Sequence, residues 1–188
     1  MGWSFWRTNR SINIVTHLNT QSTNFKVIEN KPNQKKEMQK EKFLQLLREI
    51  TEESIPFNKL IGIKIESLGM GSLGIRFEMS PELIGNFKRG NLHGGVISSV
   101  LDAIGGMVVW AEIMKKMEGQ SFEEISNRFS KIGTIDLRVD FLRPGLGKYF
   151  TATGTTLRTG NKVSVTRMEL HDDSGILIAV GTGSYLVG

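Results

Sequence analysis

The run Asn91-Leu92-His93-Gly94-Gly95-Val96-Ile97-Ser98-Ser99-Val100-Leu101-Asp102-Ala103-Ile104-Gly105-Gly106 holds the residues best suited to chemistry in this chain. A polar turn leads into a helix start there. The amides of Gly94 and Gly95 lack intrahelical acceptors and sit at the positive end of the helix dipole, so they form a place for developing negative charge. Asp102 follows a little over two turns later inside an apolar helix, where an unpaired charge is costly unless it is hydrogen-bonded or reached by solvent. A groove beside it is expected, because its neighbours at three and four residues are Ser98, Ser99, Gly105 and Gly106, all small. Paired glycines cost about 1 kcal/mol each in helix propensity and call for a packing or access reason. A carboxylate beside an acyl carbonyl serves as nucleophile or general base, and an amide holds the oxyanion. At about 1.5 Å per residue, Gly94 and Asp102 stand about 12 Å apart along the axis. Two antiparallel copies would unite them at one carbonyl, so this reading implies a dimer.

The rest of the sequence limits what else is available. With 188 residues and 39% hydrophobic content, the chain fills one core, read as a domain over 38–188 behind a tail over 1–37. The tail is expected to be disordered, or upstream sequence from a misassigned start. There is no cysteine, which excludes disulfides and thiolate chemistry and makes a reducing cytoplasm the natural home. His17, His93 and His171 have no ligand spacing, so neither a metal nor a cofactor is expected. Most of the net charge of +5 lies in the tail, where six basic residues face two acidic ones, and no basic patch or aromatic interleaving argues for nucleic acid.

Periodicity places the elements. An amphipathic helix is expected from Met38 to near Pro56, then a hairpin of Ile61, Ile63 and Ile65 against Ile75, Phe77 and Met79. Gly69, Gly71 and Gly74 match a dinucleotide fingerprint, but no helix follows, so the match reads as accidental. Pro81 to Gly90 reads as a loop, Gly94 to about Met117 as a buried helix, and Ser121 to Phe129 as a short helix. The uncharged run Ala103 to Ala111 is too short to span a membrane. Ile135, Leu137, Val139 and Phe141 alternate with polar residues as in a strand with one buried face. The turns at Arg158 to Lys162 and Asp172 to Gly175 make the last three strands an antiparallel meander. His171-Asp172-Asp173 has metal-like composition but reads as a polar hairpin tip. The class is α+β, with one long helix wrapped by a single antiparallel sheet.

His93-Gly94-Gly95 with an aspartate nine residues after the histidine resembles the motif of hotdog-fold thioesterases of the PaaI type. The run from Gly133 to Gly145 resembles the strand after the hotdog helix, and Met38 to Gly188 is similar to the bacterial YigI-like group, described as medium- and long-chain acyl-CoA thioesterases. The resemblance implies hydrolysis of acyl-CoA to fatty acid and coenzyme A. It gives Asp102 the role of nucleophile or base, Gly94 that of oxyanion amide, and Thr134 that of orienting water. His93 and Asn91, with Asn86 as substitute, match the turn supporting the carbonyl. Gly95, Ser98, Ser99 and Gly106 are expected to contact substrate, with the acyl chain along Met107 and Trp110. Arg143, Arg158 and Lys162 are either contacts for the coenzyme phosphates or solvated surface. Self-association as a dimer or dimer of dimers is expected. The rival readings are a hotdog hydratase or dehydratase pairing His93 with a carboxylate, and a non-catalytic acyl-CoA binder.

Overall fold

Six strands form one antiparallel sheet around a long helix in a computed structural model that describes residues 41, 44–68, 72–117, 120 and 122–188. In chain order the helices are α1 (Pro56–Ile61), α2 (Gly94–Lys116) and α3 (Phe122–Phe129). The strands are β1 (Lys64–Leu68), β2 (Ser72–Glu78), β3 (Ile84–Asn86), β4 (Asn91–Leu92), β5 (Gly133–Phe141), β6 (Tyr149–Thr159), β7 (Val163–Asp172) and β8 (Leu177–Leu186). The sheet order is β1-β2-β6-β7-β8-β5, while β3 and β4 pair separately.

The meander follows from its turns. Asp172 accepts the amide hydrogens of Ser174 and Ile176 at 2.9 and 2.8 Å, and Gly175 takes the left-handed φ of 78° that closes the turn into β8. Along β7, Ser164, Thr166, Met168 and Leu170 alternate inward, so one face of the strand meets α2. The helix answers with Ile97, Val100, Leu101, Ile104 and Val108, all buried. Close approach is possible because β6 carries Gly154, where an added Cβ would lie 3.0 Å from Val108 and 3.1 Å from Ile104. Phe77 and Phe150 stack across β2 and β6 with centroids 5.3 Å apart.

By length and composition α2 suffices to cross a membrane, with 23 residues and a window of mean hydropathy 1.6. Counting only the uncharged run from Ala103 to Ala111 understates this. What marks α2 as a core helix is burial, since 61% of that window is covered by the protein's own sheet and loops.

Four local expectations change. Ile61 ends α1 instead of opening a strand, because Pro56 presets the first helical turn and Gly62, at φ 78°, caps it. The helix expected from Met38 is α-helical over 44–48 but continues as a π-helix, Glu49–Ser54; Met38 lies outside the described residues. The Pro81–Gly90 segment contains a 3-10 turn, Pro81–Leu83, and strand β3. Gly74 sits within β2, while Gly69 and Gly71 lie outside the described residues.

The strand expected to bury one face, β5, packs Leu137 and Val139 of that face against the core, and among the described strands it is the edge of the sheet, bonded to β8. Ile135 and Phe141 remain 56% and 55% exposed, and no strand among the described residues lies beyond that edge. The tail over 1–37 lies outside the described residues.

Candidate active site

Asp102 is half-buried on α2 and lines a cavity of about 350 Å³. Its carboxylate has two neighbours in the sheet. Thr134, near the start of β5, donates its hydroxyl hydrogen to Oδ1 at 2.9 Å. Tyr185, on β8, shares its one phenol hydrogen between the same Oδ1, at 3.2 Å, and the main-chain carbonyl of Asp102, at 3.1 Å. The register brings them together, since Thr134 and Tyr185 are paired across β5 and β8. Tyr185 is 1% exposed. Burial first, and then the charge of Asp102, push its phenol well above the ordinary tyrosine range, so it stays a donor at any working pH.

The paired glycines of α2 now have separate reasons. A methyl at Gly105 would collide with the Tyr185 hydroxyl, so this glycine makes room for the ring. Gly106 instead lines the cavity beside Asp102. Further along the helix Met107 and Trp110 continue the wall, and Trp110 meets Phe129 of α3 edge to face. The opposite wall comes from Ile50, Thr51, Ile55 and Asn58. Asn58 donates to the Thr51 carbonyl at 3.1 Å and so ties α1 to the π-helix. π-helical stretches often occur at functional sites, and this one faces the cavity.

The helix entrance forms a different surface. His93 is the N-cap of α2, and its Nδ1 accepts the Gly95 amide at 2.9 Å. The Gly95 amide, expected to be open to substrate, is therefore engaged by the preceding histidine. Gly94, the first helical residue, keeps an amide without an intrahelical acceptor. It lies with Asn91, Phe141 and Arg143 in a depression of about 350 Å³, and the Phe141 ring stands 3.5 Å from where a Gly94 Cβ would be. Arg143 donates to the Leu177 carbonyl at 3.0 Å. Of the two candidate asparagines, Asn91 lines this depression, whereas Asn86 accepts the amides of Lys88 and Arg89 within its own turn.

Other expected contacts lie elsewhere. Ser98 and Ser99 donate their hydroxyls to the carbonyls of Gly94 and Gly95 at 3.1 and 2.7 Å, and line neither cavity nor depression. Arg158 and Lys162 are exposed at the β6–β7 hairpin, away from both. Among the described residues no cluster of His, Cys, Asp or Glu is arranged to hold a metal ion. Tyr185 is the functional candidate that sequence reading missed.

The cavity of Asp102 and the depression of Gly94 share no lining residue. One chain thus carries a carboxylate at an apolar cavity and, apart from it, an amide suited to an oxyanion.

Comparison with known proteins matches residues 89–179 to the model of the thioesterase superfamily. The Escherichia coli K12 protein named medium/long-chain acyl-CoA thioesterase YigI is 43% identical over 148 residues, which are 79% of this chain and 96% of that protein. A crystal structure from Shewanella oneidensis, described as related to the thioesterase superfamily, superposes with a TM-score of 0.74 at 44% identity, covering 78% of this chain and 96% of that one. A structure described as a putative thioesterase from Syntrophus aciditrophicus gives 0.72 at 44% identity, covering 80% and 99%.

Proposed function

Because the chain belongs to the thioesterase superfamily and has its hotdog fold, it is a thioester hydrolase, and we propose that its site is completed by two copies acting on medium- to long-chain acyl-CoA. The observation that carries this reading is the half-buried Asp102 carboxylate at an apolar cavity, with both Thr134 and Tyr185 donating to one of its oxygens. The acyl chain lies along Met107 and Trp110, which puts the thioester carbonyl beside Asp102. In one route Asp102 takes a proton from water as the water oxygen bonds to the carbonyl carbon. The C–S bond then breaks, and the proton leaves with the coenzyme A sulfur. In the other route the carboxylate bonds to the carbonyl carbon, the C–S bond breaks and coenzyme A leaves as its thiolate. Water then hydrolyses the resulting anhydride, giving the fatty acid and restoring the Asp102 carboxylate, while the proton released from water neutralises the thiolate. Either route ends in fatty acid and coenzyme A, and both require an ionised Asp102.

The oxyanion in this reading is held by the Gly94 amide of a second copy. Strand β5 supplies the geometry, with Thr134 beside Asp102 and Phe141 beside Gly94. If β5 pairs antiparallel with itself across a two-fold axis near its middle, Thr134 of one copy faces Phe141 of the other. That pairing covers the exposed Ile135 and Phe141 and removes an open sheet edge. His93 holds the Gly95 amide and borders neither cavity nor carboxylate, which favours hydrolysis over a hydratase mechanism built on His93 and an acid. We further assign the catalytic unit to 38–188, with 1–37 dispensable for turnover, and place the cysteine-free protein in a reducing compartment.

A panel of acyl-CoA esters assayed with wild type and Asp102→Asn tests this. The expected result is release of free thiol by the wild type and a loss of at least about 100-fold in the variant. Wild-type hydration of crotonyl-CoA without thiol release, or full activity in Asp102→Asn, would overturn it.

A further inference from the structure

We propose that Tyr185 is a positioning residue that, together with Thr134, occupies Oδ1 of Asp102 and leaves Oδ2 as the oxygen that acts at the thioester carbonyl. This rests on the assignment of Asp102 as the reacting carboxylate. An ionised carboxylate has two oxygens with similar accepting capacity, and both would compete for water or substrate if the group turned freely. Here Oδ1 receives the Thr134 hydroxyl hydrogen at 2.9 Å and a share of the single Tyr185 phenol hydrogen at 3.2 Å. The phenol also contacts the Asp102 carbonyl at 3.1 Å, so it is registered to the helix backbone as well as to the side chain. A donor fixed to both limits the rotation of the carboxylate about its own stem.

The sheet and helix are shaped for this ring. Added methyls would meet it at Gly105 on α2, at the hydroxyl, and at Gly183 on β8, 2.7 Å from Cε2. Two glycines from different elements thus leave the space that one phenol fills. No other ionisable side chain borders the cavity among the described residues. The helix wall contributes Ala103, Gly106, Met107 and Trp110, the π-helix Ile50 and Thr51, the α3 side Phe129 and Ser130, and β5 Gly133 and Thr134. Among the described residues that border the cavity, the hydroxyls of Thr134 and Tyr185 are the polar groups that hold the Asp102 carboxylate, so removing one acts on its orientation.

The test is the split between kcat and KM for acyl-CoA hydrolysis, since loss of an interaction that positions the reacting group lowers kcat with little effect on KM. Tyr185→Phe removes a donor, so kcat falls about tenfold with KM changed much less. Thr134→Ser keeps a donor and recovers part of the kcat that Thr134→Val loses. A second measurement keeps the ring in place. The chain has two tyrosines, so fluorotyrosine incorporated in a Tyr149→Phe background labels Tyr185 alone. Its ring keeps the hydroxyl donor, so kcat stays well above that of Tyr185→Phe. An unchanged kcat in Tyr185→Phe, with Asp102→Asn inactive, would overturn the role of Tyr185 while leaving Asp102 in place; an active Asp102→Asn would instead remove the premise.

Discussion

Phe129 of α3 meets Trp110 of α2 edge to face, with centroids 5.1 Å apart and planes at 72°. Both rings line the cavity, and Trp110 stands eight residues, or about 12 Å of helix, from Asp102. An acyl chain placed as proposed, from the carboxylate along the helix, reaches this pair, which on that placement sets the limit on chain length. Phe129→Ala opens that limit and shifts the optimum of kcat/KM toward longer acyl-CoA esters. Profiles measured across chain lengths check this, and an unchanged optimum counts against the assignment. Trp110→Ala is a poorer probe, because truncating a buried tryptophan costs about 3–5 kcal/mol.

The two glycines after Asp102 predict opposite behaviour. Gly105→Ala drives a methyl into the Tyr185 hydroxyl and is expected to destabilise the fold by about 1–3 kcal/mol while lowering activity. Gly106→Ala places its methyl 3.8 Å from the Tyr185 ring, an ordinary contact, so it gains up to about 1 kcal/mol of helix propensity. That same methyl projects beside the cavity and raises KM for acyl-CoA. Denaturant unfolding with steady-state kinetics on both variants separates the effects.

Much of this arrangement was legible because its signals are local. The spacing of His93, Gly94 and Asp102 falls on one helix, and the meander of β6 to β8 is announced by the turn residues at Arg158 to Lys162 and Asp172 to Gly175. Tyr185 was not legible, since its contact with Asp102 spans 83 residues and depends on the β5–β8 register and the helix crossing. In sequence it is one more inward residue of an alternating strand. The π-helix at Glu49–Ser54 keeps an apolar pattern that an α-helix would also give, so its hydrogen-bond register stays hidden. At β5 the alternation correctly indicated an apolar face, but periodicity does not tell that Leu137 and Val139 reach the core while Ile135 and Phe141 stay exposed. Gly95 shows a third limit. A free helix-start amide was inferred from position alone, and the neighbouring His93 ring takes it.

Tyr185 also predicts how stability responds to alkali. Its phenol is raised in the folded state, so the unfolded chain loses that proton first, near the ordinary tyrosine value of about 10. Below that pH the group's contribution is fully present. Above it the unfolded state binds fewer protons than the folded one, and stability falls by about 1.4 kcal/mol per pH unit until the folded phenol ionises. Urea unfolding between pH 8 and about 11.5 is expected to show this loss in wild type and a smaller loss in Tyr185→Phe. Equal slopes would place the phenol in a less protected setting.

Gly94→Pro isolates the oxyanion amide. Proline is well accepted at the first helical position, and His93 already holds φ −66° and ψ 135°, the extended conformation that a residue before proline prefers. The ring therefore removes one N–H with little disturbance of the helix, and kcat is expected to fall by about 100- to 1,000-fold with folding intact. Mixing then tells whether the amide and the carboxylate come from one chain. Refolding Gly94→Pro together with Asp102→Asn gives mixed dimers in which one site pairs an intact Asp102 with an intact Gly94 from the other chain. The other site carries both defects. Random pairing makes half the dimers mixed, so about a quarter of wild-type activity returns if the site is shared. If each chain completes its own site, every site holds one defect and the mixture stays as inactive as its parents. Charging the β5 edge with Ile135→Lys should abolish that recovery along with the dimer, measured by sedimentation, because a lysine on a pairing edge blocks strand addition.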